Sequence, residues 1–184
     1  MLKFEITNGF FKVLIGWLVV FVIRLIPFRP PNIEPIMTTL MPFSKKYGMV
    51  GGFFFAFFSM IVFDIAMANV GIWTVATAIT YGFVGLVATI YFRNRESKAL
   101  EYLKFSLTAT IVYDLITGPG LTYLAGHSLS FNATLIGQIP FTILHLLGNG
   151  ILAFTLSPII YRWIVTNPKL EAPALFGKLA FSRR

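Results

Sequence analysis

The chain has 184 residues, is 57% hydrophobic and 12% charged, and has a mean hydropathy of +0.78, which excludes a soluble domain with an alternating polar surface. Fifteen Lys and Arg stand against seven Asp and Glu; they flank apolar segments, so membrane topology explains the excess and nucleic acid is not an expected partner. There is no Cys, which removes disulfides, thiolate metal sites and cysteine nucleophiles.

The opening MLKFEITNGFFKVLIGWLVV resembles a secretory signal, basic and then apolar, but no Ala precedes Ala56. Without a small-residue cleavage site it is expected to persist as a first span, 9–28. PNIEPIMTTLMPF follows, short and interrupted by Pro35 and Pro42; as a second span, 33–44, it should tilt or kink at those prolines. Segments 49–69, 72–92, 104–124 and 138–161 each come near the ~20 residues that carry a helix across a bilayer. The phenylalanines at 53–55 and 57–58 read as a lipid-facing surface. Gly82, Gly85, Gly148 and Gly150 read as close-packing points between helices. The linker FRNRESKALEYLK, 92–104, reads as a solvated turn leading into a helix, and 165–184 as a basic cytoplasmic tail.

Charge decides whether 33–44 crosses. With six spans and both ends inside, the inner side receives Lys3, Lys12, Lys45, Lys46, Arg93, Arg95, Lys98, Lys104, Arg162, Lys169, Lys178, Arg183 and Arg184. Only Arg24 and Arg29 fall outside, as the positive-inside rule requires; five spans destroy the bias. The expected fold is an all-α integral membrane protein of six transmembrane helices, N-in and C-in, forming one membrane domain over 1–184.

Ionisable residues inside a bilayer are costly and mark cavities or functional sites. Asp64 in IVFD and Asp114 in IVYD ride on two helices that rise from inside to outside. Glu34 opens the second span from outside, and Arg24 lies near the outer end of the first. His145 and Asn149, four residues apart, share one face of the last span. All fall in the outer half, with no comparable group in the inner half, which predicts a cavity open outward and closed below. The alternative is structural: each acid snorkels to the interface, or pairs with Arg24 to hold helices together.

Enzyme chemistry is missing. There is no G-x-x-x-x-G-K-S/T loop, no H-E-x-x-H and no G-x-S-x-G elbow. With two His and no ligand-type spacing, neither a metal site nor a cofactor is expected.

RLIPFRPPNIEPIM, the short span ending in SKKYG, the helix ending in FDIAMANVG, the basic loop after the fourth span, IVYDLITGPG and IPFTILHLLGNGIL together resemble the substrate-binding S components of energy-coupling-factor (ECF) vitamin transporters, over about 20–164. The resemblance implies a non-enzymatic subunit in a prokaryotic cell membrane that captures a vitamin-like solute from outside. A membrane T component and two cytoplasmic ATPases would drive release inwards. It implies a lid at 28–34 and a pocket drawing on Asn32, Glu34, Asp64, Asp114, His145 and Asn149, with aromatic walls from Trp73, Tyr113, Tyr123 and Phe131. One departure is that the first span lacks the A-x-x-x-A on which many S components dock their T component. Two other readings carry weight: a scaffolding membrane protein of similar shape, like the cell-shape protein MreD, and an ion-coupled secondary carrier using Asp64 and Asp114.

Overall fold

The computed structural model describes residues 9–27, 33–124 and 130–171, and among these every regular element is helical. In chain order they are α1 (Phe10–Arg24), α2 (Pro35–Ala66), α3 (Ile72–Phe92), α4 (Ala99–Leu115), α5 (Leu121–Leu124) and α6 (Phe131–Ile160). A π-helical turn, Ile116–Gly120, joins α4 to α5, and a second, Tyr161–Val165, prolongs α6. Three of these stretches, Pro35–Ala66, Ile72–Phe92 and Phe131–Val165, are long and apolar enough to cross a membrane.

The expected spans 33–44 and 49–69 are one helical run, so five long helices are counted among the described residues where six were expected. The run is nevertheless bent back on itself. Residues twelve apart in a straight helix lie about 18 Å apart, yet the rings of Phe43 and Phe55 stack with centroids 4.1 Å apart. The reversal is at Gly48, whose φ of 70° and ψ of −167° are open to glycine and strained for other residues. The chain reverses at Gly48 and not at either proline: Gly48 is the one non-helical position within the run. Pro35 occupies the first turn, where a missing N–H costs nothing. Pro42 frees the carbonyl of Thr38, and Ser157 Oγ on α6 donates to it at 2.8 Å.

Side-chain contacts sort the helix ends into two groups. At one end Lys12 Nζ donates to Val165 O and to Glu171 Oε1, each at 3.0 Å, Lys45 donates to Arg95 O, and Lys45 faces the Tyr161 ring. At the other end Arg24 Nε lies 3.2 Å from Glu34 Oε1, and its guanidinium sits 3.8 Å over the Phe63 ring. The first end gathers Lys12, Lys45, Arg93, Arg95, Lys98 and Arg162; the second has Arg24. Gly48 and Lys98 both lie at the basic end, and Asp64 and Asp114 each follow sixteen residues later, about 24 Å along their helices.

Gly52 and Gly85 bring α2 and α3 into close approach, since a methyl group on either would run into the other's carbonyl. Phe55 departs from the lipid-facing expectation: it is buried against Phe43, whereas Phe54 and Phe58 are exposed. Gly16 on α1 leaves room for both buried rings.

Candidate binding site

The site is built on the contact between α4 and α6. Residues 102, 106, 110 and 114 recur at intervals of four on α4, as do 145, 149, 153 and 157 on α6, and each set therefore forms one stripe. All eight are buried. The stripes meet as rungs. His145 Nδ1 and Asp114 Oδ1 are 2.7 Å apart, Asn149 Nδ2 donates to Thr110 Oγ1 at 2.9 Å, and Ser106 Oγ donates to the Asn149 carbonyl at 3.2 Å.

The rungs differ in what they leave over. Ser106 and Ser157 spend their hydroxyls on backbone carbonyls. Asp114 Oδ2, His145 Nε2 and Asn149 Oδ1 are buried without a hydrogen-bond partner among the described residues. An unsatisfied buried polar atom costs roughly 1–3 kcal/mol, and native interiors keep few. Three on the facing stripes of α4 and α6 make a polar surface that a bound molecule can complete. With Nδ1–H donating to the carboxylate, the imidazole is held in a fixed orientation and presents Nε2.

Two tyrosines adjoin this surface. Tyr113 packs edge-on to His145 with ring centroids 6.0 Å apart, and Tyr81 on α3 lies against Tyr113 at 4.3 Å. Tyr81 is within electrostatic reach of Arg24, Glu34 and Asp114. The Arg24–Glu34 pair thus borders the same region.

The residues named from sequence divide accordingly. Asp114, His145, Asn149 and Tyr113 come together, with Glu34 nearby and held by Arg24. Asp64 is also buried, but its Oδ2 accepts from Thr74 Oγ1 at 2.7 Å, at the corner between α2 and α3. Trp73, Tyr123 and Phe131 are exposed, the last two packing edge to face with each other. Asn32 and most of the lid, 28–32, lie outside the described residues, as does 172–184 of the tail. Arg24 pairs with Glu34 and not with either aspartate, so the pairing expected of a scaffold is not made. Tyr81 and Thr110 were missed. Thr110 was within reach, standing four residues before Asp114 as Asn149 stands four after His145; a lone Tyr81 on an apolar helix gives no signal.

A family model described as ECF-type riboflavin transporter, S component, matches residues 10–162. No curated protein and no solved structure matches the chain.

Proposed function

We infer the function from one premise: the chain belongs to the ECF-type riboflavin transporter S component family. It is therefore a multi-pass membrane protein and a transporter's substrate-binding subunit, not an enzyme. The chain crosses the bilayer six times, with the fold at Gly48 and the basic end in the cytoplasm of a prokaryotic cell, and it captures a flavin from the outer face. A T component and two ATPases supply the energy for release inwards.

The observation that supports this is the set of buried, unpartnered atoms on Asp114, His145 and Asn149. A flavin ring has an edge with one N–H between two carbonyls, and its sugar-alcohol chain carries several hydroxyls. Asp114 Oδ2 and Asn149 Oδ1 are acceptors for such donors. His145 Nε2 accepts from a hydroxyl when the ring is neutral and donates to a carbonyl when it is charged. The Tyr81–Tyr113 pair offers aromatic surface beside them. In this reading Glu34 and its neighbour Asn32 belong to the outer closure. Asp64, Trp73, Tyr123 and Phe131 border the entrance at most.

The test is to purify the protein from flavin-producing cells, denature it and identify released small molecules by mass spectrometry, then titrate the emptied protein with riboflavin by fluorescence quenching. One equivalent of flavin and saturable quenching are expected, with less flavin retained by Asp114→Asn and its quenching shifted to riboflavin concentrations on the order of a hundredfold higher. A protein that is empty as isolated and does not quench riboflavin fluorescence overturns the flavin assignment.

A further inference from the structure

A long apolar groove runs between α3 and α4, with a volume of about 570 Å³. Ile79, Phe83 and Val87 form one wall, and Phe105, Val112 and Ile116 the other. From Ile79 to Tyr91 the groove follows a little over three turns of α3, about 18 Å. Its rims are unpartnered: Phe83, Val87, Val112 and Ile116 are each about half exposed. The groove therefore runs along the helix axes with its apolar rims open to the outside.

Its two ends differ. At the Ile79–Ile116 end the rim is apolar. At the Tyr91–Phe105 end it meets a charged cluster: Arg95 lies 4.3 Å over the Tyr91 ring, and Lys104 lies one turn before Thr108, which lines the groove. Both cations are about half exposed, while the single carboxylate between them, Glu101, is 18% exposed and bonds Arg95, Lys104 and the Tyr91 hydroxyl. The mouth therefore keeps a net charge of +1 and turns its cations outward. A long apolar groove with a cationic mouth at the basic end of the bundle has the polarity of a lipid standing in the leaflet on that side.

We propose that the α3–α4 groove is a binding slot for one anionic phospholipid, with an acyl chain against Phe83, Val87 and Val112 and the phosphate between Arg95 and Lys104. Arg95 supplies planar donors suited to phosphate oxygens, and Lys104 a point charge. Occupation covers the exposed apolar rim and leaves Glu101 in place as the strut that spaces the two cations. The slot is separate from the polar rungs of α4 and α6. Tyr113, however, lines the groove and also packs on His145.

The experiment is native mass spectrometry of the intact protein released from nanodiscs of equimolar phosphatidylglycerol and phosphatidylcholine. The wild type should retain one phosphatidylglycerol under activation that strips the remaining lipid. Val112→Trp and Val87→Trp place a bulky ring in the slot from exposed positions, and each should reduce retention at least tenfold with an unchanged melting temperature. Arg95→Gln with Lys104→Gln should keep a lipid but lose the preference for phosphatidylglycerol. Equal retention of the two lipids by the wild type, no retained lipid, a protein dimer in place of the lipid, or unchanged retention in both tryptophan variants would each overturn the proposal.

Discussion

Asp64 and Asp114 sit at the ends of near-identical stretches, IVFD and IVYD, at matching heights on two helices that rise from the basic end, yet the two corners around them do different things. At the α2–α3 corner Asp64 receives Thr74 Oγ1, ten residues away in the chain, and Thr74 Oγ1 in turn accepts from the Gly71 amide. The carboxylate closes a tight turn and joins the end of one helix to the start of the next. At the α4–α6 interface Asp114 meets His145, thirty-one residues away, and keeps Oδ2 without a partner among the described residues. The same side chain in the same local sequence is a fastening in one place and a presented acceptor in the other. The partner and the unpartnered atoms decide which, and the depth that the two acids share does not.

The largest expected effect breaks the comparison on the Asp114 side. Asp114→Asn removes the charge from the presented acceptor and should weaken riboflavin binding by about 2–3 kcal/mol, on the order of a hundredfold, as for a charge-assisted hydrogen bond. Fluorescence quenching measures it, with thermal unfolding as control for folding. His145→Gln should fall on the same side and lose binding with it. An affinity unchanged in both variants would place the flavin elsewhere.

The second prediction acts on the Asp64 side and reverses the readouts. Thr74→Val keeps the shape and takes away the donor, leaving a buried carboxylate short of a partner, a loss of roughly 1.5–3 kcal/mol of stability. The melting temperature should drop while riboflavin affinity stays within about threefold. If Thr74→Val or Asp64→Asn instead costs binding as much as Asp114→Asn, the two corners are one site and the distinction fails.

These asymmetries bear on what could be read from sequence. The helix at Ile72–Phe92 was legible to the residue because its apolar length is bounded by Gly71 and by the charged RNRESK loop. That His145 and Asn149 share one face of α6 was legible from spacing by four; that this face meets Asp114 on α4 was not. The fold-back at Gly48 was half legible. The charge pattern demanded a reversal between Pro42 and the phenylalanine run, but the prolines looked like the breaking points because the compensation by Ser157, 119 residues from Thr38, is invisible locally. Nor could IVFD and IVYD be told apart in one dimension. His145 is a tertiary neighbour of Asp114, and nothing in IVYD announces it. Aromatic residues were the least legible, since Trp73, Tyr123 and Phe131 suit a membrane surface as well as a pocket wall, and their exposure is a property of the fold.

A finer comparison lies within the α4–α6 interface itself. Asn149→Leu removes an unpartnered acceptor beside Asp114, and Ser106→Ala one turn further towards the basic end removes a hydroxyl already spent on a carbonyl. Asn149→Leu should reduce riboflavin affinity about tenfold, one neutral hydrogen bond's worth. Ser106→Ala should leave affinity within about twofold and lower stability by roughly 1 kcal/mol. Equal effects on binding would mean that the presented surface extends further down the stripe than Asn149.

The smallest effect belongs to a third carboxylate, Glu101 in the first turn of α4, ahead of the segment expected to cross the bilayer. It is the opposite extreme to Asp114, taking Lys104 on Oε1 and both Tyr91 and Arg95 on Oε2, each at 3.0 Å. The hydrogen bond from Lys104, then that from Tyr91, hold its carboxyl below the ordinary value of 4.5. A carboxyl whose folded-state pKa is depressed stabilises the fold fully above its unfolded value. That contribution fades as pH falls through the folded value. Glu101→Gln should therefore melt slightly below the wild type at pH 7, and the gap should narrow as the pH drops below about 4. Riboflavin affinity should stay the same, because every oxygen lone pair that matters is already engaged by a fixed neighbour. A gap that stays constant between pH 7 and pH 3 would mean that Glu101 acts through packing alone, and that of the three acids only Asp114 depends on its charge for its role.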